Sequence, residues 1–209
     1  MIFWIACAAG IAAAYLLGSL PTGYLAGRLL KGIDIREHGS GSTGATNVLR
    51  TLGKGPALAV LLVDVLKGVA AILLARWLYP GLQAPAVWLP WAVCLCGLAV
   101  LLGHSRSVWL GFTGGKSAAT GLGVLLAMSW PVGIGAAAVF VAVLAIFRIV
   151  SLASMLAAVT AAILVCLLPE PLPYRLLVVA GGLYVIALHR ANIGRLLAGT
   201  EPKVGRNSP

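Results

Sequence analysis

The segment ALAVLLVDVLKGVAAILLARWLY, Ala57–Tyr79, decides the fold class of this chain. It holds only three charged side chains, and about 20 consecutive apolar residues are enough for a helix to cross a bilayer core. Six further apolar segments lie along the chain: Ile2–Leu30, Ala86–Leu102, Ala118–Trp130, Val132–Phe147, Leu152–Leu168 and Tyr174–Leu188. The sequence therefore predicts an all-α polytopic membrane protein, a bundle of about seven transmembrane helices in one integral membrane domain, 1–209.

The fourth segment, Ala118–Trp130, is shorter than the others. Its helix would rise only about 20 Å, which is less than the hydrocarbon thickness of about 30 Å. Either the helix continues back through Ser117 and Lys116, or it is a half-helix buried against its neighbours. Pro131 predicts a tight turn into the next segment. The glycines inside the segments, such as Gly18 and those near Gly123, indicate close helix packing.

Composition agrees with a membrane location. Of the 209 residues, 61% are hydrophobic and 10% are charged, whereas a soluble domain has about 25% charged residues. A net charge of +10 favours nucleic acid as a partner in a soluble protein, but in this chain it is typical of basic cytoplasmic loops. We therefore expect no nucleic-acid partner. The four cysteines lie in apolar runs without a metal or redox spacing, and we expect no metal and no cofactor.

The basic residues also orient the bundle. With the N-terminus outside, the inner loops and tail hold twelve of them: Arg28, Lys31, Arg36, Arg50, Lys54, Arg106, Lys116, Arg148, Arg190, Arg195, Lys203 and Arg206. Only Arg76 and Arg175 lie on the outer side. This positive-inside bias needs an odd number of spans. It predicts a multi-pass protein of the plasma (inner) membrane, with the C-terminus and the active site cytoplasmic.

The first inner loop, 34–50, is rich in glycine and small hydroxyl residues between basic ones. Its letters match a GxGxxG pattern at Gly39, Gly41 and Gly44. A dinucleotide site also requires a preceding strand, which a membrane helix does not supply. The loop's backbone N–H groups can form an anion-binding nest, and Arg36 and Arg50 could hold a phosphate by bidentate hydrogen bonds. The alternative is a flexible, solvated loop.

The second inner loop, 103–117, ends in Gly115-Lys116-Ser117, which imitates the end of a Walker A motif. The first glycine of that motif would stand at position 110, where this chain has Leu110, so the loop is not a nucleotide P-loop. A Gly-Gly turn, a lysine and a helix start still suit a phosphate. In the tail, His189 and Asn192 would share one face of a helix. An ordinary basic tail is the alternative there.

Asp64 and Lys67 stand one helical step apart in the second span. Each alone would cost about 2.5–3.5 kcal/mol at a helix centre, so they are expected to pair. A buried acid near many cations most simply orients one of them, and we assign both residues to structural support.

Together these blocks resemble the bacterial acyl-phosphate:glycerol-3-phosphate acyltransferases, a membrane family that makes lysophosphatidic acid. The matching blocks run along nearly the whole chain: GSLPTGY at 18–24, GSG…GATN…R at 39–50, Asp64…Lys67-Gly68, Gly103-His104, FTGGK at 112–116 and HRANIGRL…GTEPK at 189–203. The ordered set is specific, although each block alone is weak.

The resemblance implies roles for residues of all three regions. It places an essential serine and arginine on Ser40 and Arg50, and a glycerol 3-phosphate site on Gly114, Gly115 and Lys116. Further catalytic residues fall on His189 and Asn192, a structural acid on Glu201, and first-loop substrate contacts on Gly39, Gly41, Thr46 and Asn47. The family commonly has asparagine at 42 and glycine at 117, where this chain has serines. A serine at 117 would suit a helix N-cap.

The resemblance further implies acyl phosphate and glycerol 3-phosphate as substrates, membrane lipid as the surroundings, and an acyl-phosphate-producing enzyme as a partner. The HxxxxD dyad of a large thioester-using acyltransferase group is missing after all three histidines. The proton acceptor is either His189 or a phosphate of the substrate itself. A transporter would place its polar residues near mid-membrane, whereas here they cluster at one face. A non-catalytic scaffold would leave the three phosphate-suited regions unexplained.

Overall fold

The computed structural model describes residues 2–80 and 85–205, and that part of the chain is helical without strands. Arg206 of the basic tail lies outside the described residues. The α-helices are α1 (Ile2–Ser19), α2 (Thr22–Lys31), α3 (Ala45–Thr51), α4 (Lys54–Leu78), α5 (Leu89–Ser105), α6 (Ala118–Met128), α7 (Trp130–Phe147), α8 (Val150–Leu167), α9 (Leu172–Leu188) and α10 (Arg190–Leu197). Single 3-10 turns lie at Ile35–Glu37, Ala86–Trp88 and Val108–Leu110.

The predicted bundle of about seven apolar helices is confirmed, and the count is approximate. Five stretches are long and apolar enough to cross a membrane unaided: Phe3–Lys31, Lys54–Leu78, Ala86–Ser105, Trp130–Phe147 and Val150–Leu167. Helix α9 is a sixth when it is taken with α10 across a bend of 59°. Helix α6, with 11 residues, rises only about 16 Å.

The short helix α6 follows the second of the two alternatives for the fourth segment. It begins after Ser117 rather than continuing back through Lys116, and Thr120 and Val124 are buried against its neighbours. The turn to α7 is a single residue, Ser129. Pro131 stands in the first turn of α7, where its missing N–H costs no helical hydrogen bond. The expected tight turn is therefore present.

Close glycine contacts set the relative positions of α4, α5 and α6. A Cβ on Gly68 of α4 would lie 2.2 Å from the Thr120 carbonyl oxygen, and one on Gly123 of α6 would lie 2.0 Å from that of Val65. Glycine at both positions lets the two backbones touch. His104, near the end of α5, has its Nδ1 3.6 Å from the Asp64 carboxylate. The end of α5 and the start of α6 therefore lie beside Asp64, which is about 15 Å along α4 from its first residue, Lys54.

The two described ends of the chain lie at opposite faces of the bundle. The ring of Phe3 is 6.3 Å from that of Tyr79, beside the end of α4. At the other face, the Val204 N–H donates to the Arg148 carbonyl oxygen. We call this second face, formed by residues 31–54, 105–117 and 189–205, the basic face. It carries all three regions that the sequence predicts to bind phosphate.

Candidate active site

A cavity of about 480 Å³ opens from the basic face into the bundle. It runs from the start of α6 alongside this helix as far as Leu125, with residues of α4 and α7 also in its walls. Residues of the first loop, α4 to α9 and the tail line it. Towards the basic face the lining is polar, and deeper it is apolar, with Leu122, Leu125, Phe140, Leu177 and Val178 among its side chains.

The polar end brings together most of the predicted site residues. Ser40, Thr46, Asn47, Arg50, Lys116, His189 and Asn192 line the cavity, as do Asp64 and Glu201. Gly39, Gly41, Gly114 and Gly115 are not among its lining residues, and neither is Lys67. Residues as far apart in the sequence as Ser40 and Glu201 therefore meet at one place.

Asn47 organises the first loop. Its side chain is 1% exposed, and its Nδ2 donates to the carbonyl oxygens of Ile35, His38 and Ser42 at 2.9–3.0 Å. Its Oδ1 accepts from the Ser40 N–H at 2.8 Å. All the polar atoms of this amide are thus used inside the loop, and they fix the backbone beside Ser40.

The close fit to Asn47 explains the glycine at 39. A Cβ there would lie 2.2 Å from the Asn47 Oδ1, and Gly39 has a φ of +60°, a left-handed conformation that glycine adopts without strain. Gly41 also has a positive φ, +69°. The first loop is a set of fixed turns, which differs from the flexible, solvated alternative.

Arg36 does not lie with Arg50 at the cavity, where the sequence suggested that the two could hold a phosphate. Its guanidinium donates to both oxygens of Asp34 and reaches Leu110 O and Thr113 Oγ1 of the second loop. Arg36 holds the pKa of Asp34 at about 2, so this carboxyl is ionised near neutral pH. Arg36 joins the two loops and does not line the cavity.

Arg50 remains available at the cavity. It stands in α3 with an exposed side chain, and it makes no ion pair within the described ranges. A guanidinium in this position can offer a planar pair of N–H donors to a phosphate.

Lys116 faces the cavity from the second loop and donates from Nζ to the Asn192 Oδ1 of the tail. Burial, and after it the charge of Arg195, lowers the pKa of Lys116. Asn192 in turn donates from Nδ2 to Glu201 Oε1 at 2.6 Å. Glu201 also accepts from Arg195 Nε at 2.6 Å. Burial alone would raise the pKa of Glu201, but these hydrogen bonds outweigh it and the pKa is lowered.

Gly114 and Gly115 pack against His104. A Cβ on Gly114 would lie 2.3 Å from the His104 carbonyl oxygen, and one on Gly115 would lie 2.1 Å from the His104 Nε2. The Gly115 N–H donates to the same carbonyl oxygen. The Gly-Gly pair thus brings the backbone that carries Lys116 against the end of α5.

The predicted pair of Asp64 and Lys67 is present, with Nζ 2.8 Å from Oδ1 and both side chains buried. Thr22 donates to the same carboxylate oxygen at 2.7 Å, and Lys67 also donates to the Leu20 carbonyl oxygen beside the break between α1 and α2. Asp64 therefore links the first span to α4 and, through its 3.6 Å contact, to His104.

Ser117 stands at the N-cap position of α6, but the expectation that its side chain caps the helix is wrong. Its side chain makes no capping hydrogen bond and instead donates to the Leu101 carbonyl oxygen at 2.7 Å. Its φ is +58°, which is left-handed and costs a non-glycine residue about 1–2 kcal/mol. The conformation itself accounts for glycine at this position in the resembled family.

The sequence indicated no role for three polar residues of the cavity: His104, Ser151 and Ser154. His104 belongs to the Gly103-His104 block of the family resemblance, but its contacts are with Asp64 and Gly115, which lie outside that block. The two serines begin α8 inside an apolar segment, where no local pattern distinguishes them. Across residues 2–80 and 85–205, no three side chains of His, Cys, Asp or Glu gather closely enough to hold a metal ion.

Comparisons with known proteins agree with this architecture. The family model for glycerol-3-phosphate acyltransferase matches residues 8–199. The chain is 71% identical to glycerol-3-phosphate acyltransferase 2 of Rhizobium johnstonii, over 99% of both chains. It is 58% identical to glycerol-3-phosphate acyltransferase of a Nostoc species, over 98% of this chain and 95% of the relative.

Two solved structures are similar along nearly the whole chain. Both are of PlsY (YgiH), an integral membrane glycerol 3-phosphate acyltransferase. Its glycerol 3-phosphate form has a TM-score of 0.87 at 38% identity, covering 95% of this chain and 96% of that one. Its lysophosphatidic acid form has a TM-score of 0.84 at 37% identity, covering 95% of each chain.

Proposed function

This chain belongs to the glycerol-3-phosphate acyltransferase family, and from that premise we propose the donor, the product and the residues of its reaction. The acyl chain passes from acyl phosphate to the 1-hydroxyl of glycerol 3-phosphate, giving 1-acyl-glycerol 3-phosphate and inorganic phosphate. One observation carries this proposal: a single cavity joins a cationic, hydrogen-bonding end to an apolar interior. An acyl phosphate has the same division between its anionic head and its chain.

Two phosphates meeting at the polar end repel each other, so the site must supply positive charge. Arg50 comes from the first loop and Lys116 from the second, and both line the cavity. We assign Lys116 to glycerol 3-phosphate, and Arg50, with Ser40 and Thr46, to the phosphate of the donor. Donors fixed in place before the reaction stabilise charge without reorganising. The Asn47 hydrogen bonds provide that rigidity at Ser40.

The proposed transfer needs no covalent nucleophile, because an acyl phosphate is already an activated anhydride. The 1-hydroxyl oxygen attacks the acyl carbonyl carbon, and the bond from that carbon to the phosphate oxygen breaks. The hydroxyl proton goes to a phosphate oxygen of the substrates. Alignment of two held reactants can lower the barrier by about 7–11 kcal/mol.

His189 and Asn192 would align the glycerol. The Nδ1 of His189 lies 2.8 Å from the Val185 carbonyl oxygen, and because a carbonyl can only accept, Nδ1 carries the proton. In the neutral ring Nε2 is then an acceptor, suited to receive a hydrogen bond from the glycerol hydroxyl. Asn192 accepts from Lys116 and would hold its ammonium beside the phosphate of the same substrate.

The setting that we propose for this reaction is the inner membrane, with the basic face cytoplasmic. Substrate and product chains would then stay in the lipid while the phosphates are reached from the cytoplasm. Because acyl phosphates are reactive anhydrides, an acyl-phosphate-producing enzyme would act as the partner that supplies them.

The experiment is an assay of the purified, EDTA-treated protein with matched acyl phosphate, acyl-CoA and acyl-carrier-protein donors. We expect transfer to glycerol 3-phosphate from acyl phosphate only, with one inorganic phosphate released per acyl group transferred. Preferred use of either thioester would overturn the donor assignment. Comparable rates with all three donors would still agree with an acyltransferase but would refute a second phosphate subsite.

A further inference from the structure

Ser151 is a buried polar residue to which the reaction above gives no role. It lies in the first turn of α8 and is 5% exposed. Its hydroxyl donates to Glu201 Oε1 at 2.8 Å, across 50 positions of sequence. The tail that carries Glu201 is held beside α8, because the Val204 N–H donates to the Arg148 carbonyl oxygen immediately before that helix.

Glu201 is the acceptor on which the tail converges. Its Oε1 receives Ser151 and Asn192, and its Oε2 receives Arg195. An ionised carboxylate only accepts hydrogen bonds, so the atom of Asn192 that faces it must be Nδ2. The carbonyl oxygen of Asn192 therefore faces away from Glu201, towards Lys116, which donates to it.

We propose that Ser151 is a positioning residue for glycerol 3-phosphate, acting on Lys116 through Glu201 and Asn192. Its hydroxyl holds Glu201 Oε1 at the point where the carboxylate fixes the Asn192 amide, and that amide holds the Lys116 ammonium at the polar end of the cavity. The inference rests on the proposed assignment of Lys116 to glycerol 3-phosphate.

Removing this hydroxyl leaves the carboxylate free to turn about its remaining partners. The carboxylate still accepts from the Asn192 Nδ2, but its Oε1 is no longer held in place. The Asn192 amide, and with it the Lys116 ammonium that it holds, can then shift at the polar end of the cavity. Binding of glycerol 3-phosphate weakens, whereas the donor subsite at Arg50 is unaffected. For Ser151→Ala we expect a rise of about three- to ten-fold in KM for glycerol 3-phosphate, a partial loss of one charge-assisted hydrogen bond.

The test measures KM for each substrate, kcat and thermal stability in detergent for Ser151→Ala, Ser151→Thr and Thr160→Ala. Ser151→Thr keeps the hydroxyl and should bind glycerol 3-phosphate nearly as the parent does. Thr160 is the matched control: its hydroxyl bonds to Leu156 O in the same helix, away from the cavity, and its loss should leave both KM values unchanged. If Ser151→Ala does not fold, Ser151→Cys, a near-isosteric weak donor, takes its place.

A second measurement tests the route. In Glu201→Gln the new amide can accept or donate a hydrogen bond, so it no longer fixes the orientation of the Asn192 amide. Adding Ser151→Ala to Glu201→Gln should therefore raise the KM by less than two-fold, because residues acting in series are non-additive. Additive effects would overturn the route through Glu201. An unchanged KM for glycerol 3-phosphate in Ser151→Ala, or equal rises for both substrates, would overturn the positioning role while the parent enzyme still turns over. An inactive parent would overturn the proposed function and this inference together.

Discussion

Lys116 is a lysine whose surroundings weaken its hold on a proton. Burial beside Arg195 lowers its pKa, and its one hydrogen-bond acceptor in the described structure is the neutral oxygen of Asn192. A phosphate entering the cavity therefore meets an ammonium that no carboxylate contacts directly.

We predict that Lys116→Ala chiefly raises the KM for glycerol 3-phosphate, by about ten- to a hundred-fold, because a charge-assisted hydrogen bond of about 1.5–3 kcal/mol is lost. The pH dependence of kcat/KM tests whether Lys116 acts in its positively charged form. Since the lysine is useful only when protonated, kcat/KM in the parent should fall as pH rises through its lowered pKa, below the ordinary value of about 10.4.

In Lys116→Arg the alkaline fall of kcat/KM should move to higher pH, because a guanidinium stays protonated. Enzyme-free samples correct for hydrolysis of acyl phosphate at each pH. An unchanged KM for glycerol 3-phosphate in Lys116→Ala, or an alkaline fall at the same pH in Lys116→Arg, would show that Lys116 does not bind this substrate.

Ser117 balances a strained backbone against one hydrogen bond. Ser117→Gly relieves a left-handed φ worth about 1–2 kcal/mol and loses a bond worth about 0.5–1.5 kcal/mol, so we predict stability close to that of the parent. Ser117→Ala loses the bond and keeps the strain, and it should be less stable by about 1 kcal/mol. Thermal midpoints in one detergent compare the two. A glycine variant less stable than the alanine variant would contradict the balance.

At the scale of elements, the short helix α6 makes the site. Its length was visible in the sequence, since only 13 residues, 118–130, separate Ser117 from Pro131. Its depth was not, because that depends on the contacts of Gly68 with Thr120 and of Gly123 with Val65. The sequence indicated Gly123 as a packing position without its partner, and Gly68 only as part of a block of the family resemblance.

We predict that Gly68→Ala destabilises the protein by about 1–3 kcal/mol, since backbone atoms of α6 leave no room for a methyl group. The added Cβ would lie 2.2 Å from Thr120 O and 3.0 Å from Val124 N, so α6 must move and Lys116 with it. The KM for glycerol 3-phosphate should rise as well. Gly55→Ala in the same helix is the control: its Cβ meets nothing within 4 Å, and alanine there should be neutral or slightly stabilising.

For the whole molecule, local patterns gave the helices and the three regions of the site, because hydrophobic length and loop chemistry are written within short stretches. Pairings between distant residues were not readable in the same way. The phosphate role expected for Arg36 was wrong because Asp34, two residues away, takes its guanidinium. The hydrogen bond of Ser151 with Glu201 and the contact of His104 with Asp64 join elements far apart in the chain. Such contacts follow from packing, and a single sequence carries no local sign of them.

The orientation in the membrane is a prediction at this largest scale, and it rests on the distribution of the basic residues. In the sequence, lysine and arginine divide twelve to two between the predicted inner and outer segments, which favours a cytoplasmic basic face. Phe3 and Val204 lie at opposite faces, so the N-terminus would lie outside.

Single cysteines at Lys54, Ala198 and Pro169, in a background with the four native cysteines replaced, test this orientation in intact cells. Lys54 and Ala198 are exposed at the basic face and Pro169 at the opposite one. A membrane-impermeant thiol reagent should label only the cysteine at 169, and all three should react after permeabilisation. Labelling at 54 or 198 in sealed cells, with 169 protected, would invert the topology and place the cavity on the side where no cytoplasmic substrate can reach it.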